Sequence, residues 1–179
     1  MNDHLSDIET LRRNARAHID RGPITEAYGA DSERVIAVLN EVLATELVCA
    51  LRYKRHYFMA SGLSSSSVAS EFQQHAAEEE SHADRIAARI VQLRGEPDFN
   101  PATLEKRSHA EYVTGNDLVD MIREDLVAER IAIASYQEIV RWLGETDTTT
   151  RRLIEDVLAV EEEHADDLLT LLEQMGRPA

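Results

Sequence analysis

Apolar residues recur at steps of three and four positions along four long stretches of the chain, which places them on one face of an α-helix. Capping residues such as Asp, Ser and Asn precede these stretches, and a glycine stands just beyond each of them. The pattern predicts four helices of near-equal length, each roughly 45 Å long at about 1.5 Å per residue. Helices one to four are predicted over residues 32–61, 67–94, 116–143 and 148–175, followed by Gly62, Gly95, Gly144 and Gly176.

The lengths of the connections predict how these helices are arranged. Residues 62–66 and 144–147 are short, so helices one and two, and helices three and four, are expected to form antiparallel hairpins. Residues 95–115 are long enough to run the length of a bundle. The sequence therefore predicts an all-α four-helix bundle over residues 31–176, with a long crossover between helices two and three.

Residues 1–30 are predicted to form an N-terminal extension to this bundle. They contain one short helical pattern at about 5–19, which the run Arg21, Gly22 and Pro23 interrupts. The arginines near the start of the chain alternate with acidic residues, and lysine occurs only at Lys54 and Lys106, so a DNA-binding tail is not expected.

Composition agrees with a helical protein and limits its partners. With 7 glycines and 4 prolines in 179 residues, few positions break helices. A formal charge of −15 disfavours DNA and anionic membranes as partners and attracts cations. The single cysteine, Cys49, excludes an internal disulfide and a cysteine-based metal ribbon. Neither a membrane span nor a secretory signal is visible, so a cytoplasmic location is expected.

A glutamate interrupts the apolar stripe of every predicted long helix. Each of these glutamates stands close to the middle of its helix, which is the one level that parallel and antiparallel neighbours share. The four side chains are therefore expected to meet in one layer of the bundle. They are Glu46, Glu79, Glu129 and Glu161.

Four carboxylates in a dry core require compensating positive charge, because burying even one isolated ion costs several kcal/mol or more. No lysine or arginine stands in the stripes at this level, whereas His82 and His164 follow Glu79 and Glu161 at the third position. A single Glu-x-x-His is also typical of a solvated acidic turn with a histidine at the core edge. Two of them with two further glutamates form the ligand set of di-iron and di-manganese helical bundles. Oxygen and imidazole ligands favour Fe or Mn.

Four stretches carrying these residues resemble the bacterioferritin branch of the ferritin-like superfamily, and the likeness extends over about residues 33–172. The stretches are residues 39–53, 78–84, 125–129 and 161–166.

The resemblance implies a ferroxidase centre of two iron ions within one subunit. It implies Glu46 and His82 as terminal ligands of one iron, Glu129 and His164 as terminal ligands of the other, and Glu79 and Glu161 as bridges. By the same resemblance, Tyr53 stands beside the centre as a one-electron donor. Asp125 precedes Glu129 by one helical turn and is expected to orient a ligand imidazole. These are the residues Glu46, Tyr53, Glu79, His82, Asp125, Glu129, Glu161 and His164.

The chain also departs from the bacterioferritin pattern. Glu80 stands where the family has its haem-ligating methionine, so haem is not expected, and Asp167 replaces a common tryptophan. Only three residues follow Gly176, so the short fifth helix of 24-subunit shells is not expected. An extended N-terminus and a longer crossover instead resemble dodecameric Dps-like proteins with a bacterioferritin-type site. Those often carry a cysteine pair, whereas Cys49 is alone.

The function expected from this resemblance is oxidation of Fe(II) by O₂ or H₂O₂, with iron storage, iron detoxification and protection from oxidative stress in a homo-oligomeric cage. A cage of twelve subunits is favoured over one of twenty-four. The alternatives are a di-iron oxygenase or peroxidase without storage, and a metal-free bundle that acts as an interaction module.

Several residues outside this set receive simpler interpretations. His75 is interpreted equally well as an iron-entry ligand and as a packed histidine of the bundle. Tyr57 and Tyr136 are expected to pack in the bundle, Cys49 in the core or at an interface, and Trp142 at a helix end or subunit contact. Solvent exposure is predicted for His4, His18, His56 and His109.

Overall fold

The computed structural model describes residues 5–60 and 66–175, and every regular element in these two ranges is helical. Two short α-helices, α1 (Ile8–Ala17) and α4 (Leu104–Arg107), and a 3₁₀ turn at Ile19–Arg21 accompany four long helices. The long helices are α2 (Ser32–Met59), α3 (Ser66–Gln92), α5 (Leu118–Leu143) and α6 (Thr148–Met175). The predicted all-α bundle is confirmed.

The long helices pair as the connection lengths predict. Helix α2 packs along α3, α5 packs along α6, and the two hairpins meet through contacts of α2 with α5 and of α3 with α6. The predicted ends at Gly62 and Gly176, and most of the first predicted connection, lie outside the described residues. None of the described helices is both long and apolar enough to cross a membrane.

Aspartates cap the N-termini of three long helices. The carboxylate of Asp31 accepts the backbone N–H of Glu33 at 3.1 Å, and that of Asp147 accepts the N–H of Thr150 at 2.9 Å. The predicted start of helix three at residue 116 is two residues early, because Asp117 is the residue whose side chain caps α5.

The end of α3 differs from the sequence prediction in an informative way. The helix ends at Gln92, and Arg94 rather than Gly95 adopts the left-handed conformation, with φ of 67°. Gly95 meets a different requirement, since a Cβ there would lie 2.7 Å from Cγ2 of Ile36. Close approach of the crossover to α2 therefore explains this glycine.

The crossover follows α2 along most of its length. Successive backbone groups of the crossover hydrogen-bond to side chains that lie progressively further along α2, and α4 packs on the same helix. The crossover thus leads the chain from the end of α3 to the start of α5. The contacts in chain order are Asp98 N–H to Asn40 at 2.7 Å, His109 N–H to Thr45 at 3.0 Å, and Arg52 to the carbonyl of Glu111 at 2.8 Å.

The residues before α2 are fastened to one end of the bundle. The Tyr28 hydroxyl donates to Asp147 at 2.8 Å, and the N–H of Gly29 donates to the carbonyl of Thr146 at 3.3 Å. Helix α1 itself buries none of its residues and is shorter than the predicted 5–19. It leaves apolar side chains such as Ile8 and Leu11 exposed.

The apolar core of the bundle has two main parts. One contains Leu39 and Ile86 and reaches the connection of α5 with α6, and the other contains Phe72 and Leu168. Between these two parts, each long helix presents polar side chains to the inside of the bundle.

Candidate metal centre

The structure brings the six predicted ligand residues together in the layer between the two apolar clusters. Every one of them is buried, and the most accessible, His82, is only 4% exposed. Two overlapping groups of side chains lie close enough to hold metal ions. The first group is Glu46, Glu79, His82 and Glu161, and the second is Glu79, Glu129, Glu161 and His164.

The first group is arranged around Nδ1 of His82. This nitrogen lies 3.1 Å from Oε2 of Glu46, 3.1 Å from Oε1 of Glu161 and 4.0 Å from Oε2 of Glu79. Ligand atoms at bond lengths of about 2.0–2.2 Å from one ion stand roughly 3–3.5 Å apart. The observed spacings are therefore close to those of a ligand set.

The second group is arranged around Nδ1 of His164. It lies 3.3 Å from Oε2 of Glu161, 3.5 Å from Oε1 of Glu79 and 3.9 Å from Oε1 of Glu129. Glu79 and Glu161 thus direct one carboxylate oxygen towards each histidine. This is the geometry that two bridging carboxylates require.

Five donor atoms of this layer lack a hydrogen-bond partner among the described protein groups. Within the described residues, Oε1 of Glu79, Oε2 of Glu129, both carboxylate oxygens of Glu161 and Nδ1 of His164 are buried without a hydrogen bond. In the same part of the chain, no lysine or arginine forms an ion pair with any of the four glutamates. Because buried polar atoms are normally satisfied, the donor set fits two divalent cations.

Burial and mutual repulsion favour the protonated form of the central carboxyls when no metal is bound. Desolvation, followed by the charges of the neighbouring glutamates, raises the pKa of Glu79 and of Glu161 well above the ordinary value. Burial also raises the pKa of Glu129. A bound cation would reverse this preference, since it stabilises the carboxylate form.

His164 is oriented from outside the layer. Its Nε2 lies 2.8 Å from Oε2 of Glu78, which leaves Nδ1 directed at the centre. A carboxylate that accepts the second ring N–H of a metal ligand fixes both the tautomer and the orientation of that ligand.

Two tyrosines hydrogen-bond to the terminal glutamates. The Tyr53 hydroxyl donates to Glu129, and the Tyr136 hydroxyl donates to Glu46. Tyr136 packs in the bundle core as predicted, but its hydrogen bond to a terminal glutamate was not predicted. The sequence contained a signal for it, since Tyr136 follows Glu129 by the same seven positions that separate Tyr53 from Glu46.

Asp125 does not orient a ligand imidazole, which corrects the expectation from sequence. Its carboxylate accepts Nε–H of Arg52 at 2.7 Å and contacts Nδ1 of His56 at 2.8 Å. All three side chains are at most 1% exposed, so the prediction that His56 is solvated is also wrong. Asp125 instead joins α5 to α2 at a level next to the centre.

The remaining histidines are distributed as follows. His18 is exposed as predicted, whereas His109 is partly buried and its Nδ1 lies 3.1 Å from the hydroxyl of Ser135. His4 lies outside the described residues. His75 is completely buried, with its ring stacked on that of His164 at a centroid distance of 3.9 Å. Burial and the neighbouring His164 lower the pKa of His75 to about 3, so its ring is neutral.

Glu80 and Asp167, which depart from the bacterioferritin pattern, and the lone Cys49 have distinct surroundings. Glu80 is half-exposed and pairs with Lys54, away from the buried layer. Cys49 packs in the core, as predicted, and burial raises the pKa of its thiol. Asp167 is partly exposed and lies near His75.

Comparison with known proteins agrees with the fold. The ferritin-like domain family matches residues 36–177. The chain belongs to the ferritin-like family. Among curated relatives, the bacterioferritin of Brucella melitensis is 29% identical over 147 residues, which cover 80% of this chain and 86% of the relative. The bacterioferritin BfrA of Mycobacterium tuberculosis is 28% identical over 150 residues, with the same coverage of both chains.

Two solved structures extend the comparison of this ferritin-like chain. The bacterioferritin-related protein of Bacteroides fragilis, described as a dodecameric thioferritin, is 32% identical, with a TM-score of 0.79 over 83% of this chain and 90% of that one. Dps from Thermosynechococcus elongatus is 22% identical, with a TM-score of 0.75 over 78% of this chain and 90% of that one. The second likeness concerns the fold alone.

Proposed function

We propose that this ferritin-like chain oxidises Fe(II), with O₂ or H₂O₂ as the oxidant, at a two-metal centre within each subunit. One observation carries the proposal: four carboxylates and two imidazoles converge in a buried layer with donor atoms that no described protein group satisfies. The similarity to bacterioferritins supports iron as the metal.

Each ligand residue has a defined part in the proposal. Glu46 and His82 hold one ion and Glu129 and His164 hold the other, while Glu79 and Glu161 bridge the two. Four carboxylates balance the charge of two divalent ions. They attract the trivalent product more strongly than the divalent substrate, because Coulomb attraction grows with the charge of the ion.

Fe(II) is the substrate, and two bound ions supply one electron each, which with two protons convert one H₂O₂ into two waters. The protein holds both ions in a layer from which the two apolar clusters exclude bulk water. The tyrosine hydroxyls fix the terminal carboxylates Glu46 and Glu129 in place. We include Tyr53 as the donor of the second electron to H₂O₂ when only one Fe(II) is bound, since its ring also stands edge-on to His164 at a centroid distance of 6.4 Å.

We further propose that the subunits assemble into a closed shell, of twelve copies rather than twenty-four, that stores the ferric product. The dodecameric description of the similar Bacteroides fragilis protein supports this number. Leu5, Ile8 and Leu11 follow one another at steps of three residues on and just before α1, and their exposed apolar stripe is typical of surfaces that other subunits cover. Closed symmetry is the rule for homo-oligomers.

The substitution Glu129→Ala tests the centre. It removes one terminal carboxylate, and we expect Fe(II) oxidation, followed by stopped-flow absorbance, to slow by more than about tenfold, since even outer partners of metal ligands are worth ~10–100-fold. Glu138→Ala, at an exposed position of the same helix, is the matched control and should oxidise Fe(II) at the wild-type rate. A wild-type rate in Glu129→Ala with unchanged helicity would contradict the proposed centre.

The mass of the iron-loaded assembly tests storage. We expect light scattering to report about twelve chains, and iron analysis to find many more ions per chain than the centre can hold. A mass of twenty-four chains would refute only the proposed number. A monomer or dimer that oxidises Fe(II) without retaining it would instead indicate the non-storage di-iron oxygenase or peroxidase.

The absence of methionine-ligated haem remains a prediction. Glu80 pairs with Lys54 at a half-exposed position, and a carboxylate offers no thioether sulfur. Protein purified from its native host should show no stoichiometric Soret band with bis-methionine character.

A further inference from the structure

A second group of potential ligands lies beside the two-metal centre on the same pair of helices. His75 precedes Glu79 by one turn of α3, Glu71 precedes His75 by another turn, and Asp167 follows His164 by three residues on α6. These three residues belong to neither of the groups that form the centre.

The distances in this group suit a metal ion. Nε2 of His75 lies 3.5 Å from Oε1 of Glu71 and 3.8 Å from Oδ2 of Asp167. Donor atoms at bond lengths of about 2.0–2.2 Å from one ion stand roughly 3–3.5 Å apart. A small movement of the half-exposed aspartate completes the spacing.

The ring nitrogens of His75 are buried without a partner in the described part of the protein. Its side chain is 0% exposed, and neither ring nitrogen has a hydrogen-bond partner among the described groups. Leaving a buried polar group unsatisfied costs about 1–3 kcal/mol. An ion held by Nε2 would satisfy the nitrogen that faces the two carboxylates.

The group is open to solvent on one side and close to the centre on the other. The side chains of Glu71 and Asp167 are 30% and 44% exposed, whereas His75 and His164 stack inside the bundle at 3.9 Å. A cation therefore reaches the carboxylates from water without crossing apolar core. Two carboxylates neutralise one divalent ion.

We propose that Glu71, His75 and Asp167 form a third site that binds a divalent transition-metal ion from solvent, next to the two-metal centre. Mixed carboxylate and imidazole donors suit Fe(II), Mn(II) and Zn(II). The site also serves as a loading position for the centre, and this second part, unlike the binding itself, rests on the proposed function.

Crystals soaked in Zn(II) test the binding, because Zn(II) has no redox chemistry and reports the site independently of iron oxidation. Anomalous difference density is expected between Glu71, His75 and Asp167 in the wild-type protein. It should be lost in Asp167→Asn and in Glu71→Gln. The matched control is Asp166→Asn, which removes the same charge from the adjacent, exposed residue and should keep the density.

The outcomes separate this site from the centre. Density at the third site in Glu129→Ala, whose centre is damaged, supports an independent site. A filled centre without density at Glu71, His75 and Asp167 overturns the third site and leaves the proposed function standing. Undiminished density in Asp167→Asn also overturns it.

Kinetics test the loading role. Asp167→Asn should raise the Fe(II) concentration at half-maximal rate several-fold while leaving the maximal rate near that of the wild-type protein. Asp166→Asn should change neither quantity. An unchanged half-saturating concentration in Asp167→Asn would overturn the loading role.

Discussion

Tyr136 provides a test of how the terminal carboxylates are held. In Tyr136→Phe the ring still fills its place in the core, but Glu46 loses the hydroxyl that hydrogen-bonds to it. We expect Fe(II) oxidation or Fe(II) affinity to fall by about 10–100-fold, as is usual for partners of metal ligands.

The control for this substitution is Tyr57→Phe, which removes a hydroxyl from a partly buried tyrosine on α2 that does not contact the centre. The rate and affinity of Tyr57→Phe should match those of the wild-type protein. Equal behaviour of the two variants would show that Tyr136 serves packing alone.

The periodicity of the apolar stripes and the spacing of the glutamates predicted which residues meet in the centre. They did not predict all hydrogen-bond partners of these residues. A charged residue in an apolar stripe stands out, and helix midpoints must coincide, so Glu46, Glu79, Glu129 and Glu161 could be grouped from sequence. The residue type of Tyr136 alone did not indicate its contact with Glu46, because a tyrosine in an apolar stripe is compatible with ordinary packing. Its hydrogen bond depends on where α5 lies relative to α2.

At the scale of elements, the ion pair of Arg52 with Asp125 joins α2 to α5. Both side chains are at most 1% exposed. Asp125→Ala leaves the Arg52 charge buried without its partner, and we expect it to lower the free energy of unfolding by about 3–5 kcal/mol. Chemical denaturation followed by circular dichroism measures this loss.

A second variant separates the pair from its single members. Replacing both charges, in Arg52→Met with Asp125→Leu, should destabilise the protein less than Asp125→Ala alone, since no unpaired charge stays buried. The folded fraction of Asp125→Ala should oxidise Fe(II) nearly as fast as the wild-type protein. If Asp125→Ala instead lost as much rate as Glu129→Ala, Asp125 would have to orient a ligand imidazole after all, a role that Glu78 has towards His164 in the structure.

Helix ends were predicted least well, for physical reasons that particular residues show. Gly144 has φ of 49° and follows α5 directly, as the sequence predicted. Gly95 was also predicted to end its helix in this way. In the structure Arg94 takes the left-handed conformation instead, and Gly95 is needed because a side chain there would collide with Ile36. Both uses of glycine look alike in one sequence, because the second depends on a neighbour in space. His56 was misjudged for the same reason.

At the scale of the whole molecule, the raised carboxyl pKa values predict how stability depends on pH. Folded, metal-free protein keeps protons on Glu79 and Glu161 at pH values where the unfolded chain, with ordinary pKa values near 4.5, has lost them. Stability is therefore greatest below that value and decreases as the pH rises towards the raised pKa. We expect the metal-free protein to melt at a lower temperature at pH 8 than at pH 6.

Substitution and metal addition isolate this effect from the repulsion of the acidic surface. In the double variant Glu79→Gln with Glu161→Gln, the melting temperature should vary less with pH. Zn(II) replaces the bound protons, so it should raise the melting temperature of the wild-type protein more at pH 8 than at pH 6. The same slope in both proteins would contradict the buried carboxyls as its source.

In both hairpins a tyrosine follows the terminal glutamate by seven positions, and this repeat shows how few different residues such a centre requires. Helices α2 and α3 supply one terminal glutamate, one tyrosine and one Glu-x-x-His, and α5 and α6 supply the same set in the same order. A two-helix peptide with this set would build all the ligands by pairing with an identical copy. Each hairpin of the chain thus supplies one half of the ligand set. The two hairpins differ four residues before the bridging glutamate, where α3 has His75 and α6 has Val157. A third ion would therefore bind on one side only of an otherwise symmetric pair of hairpins.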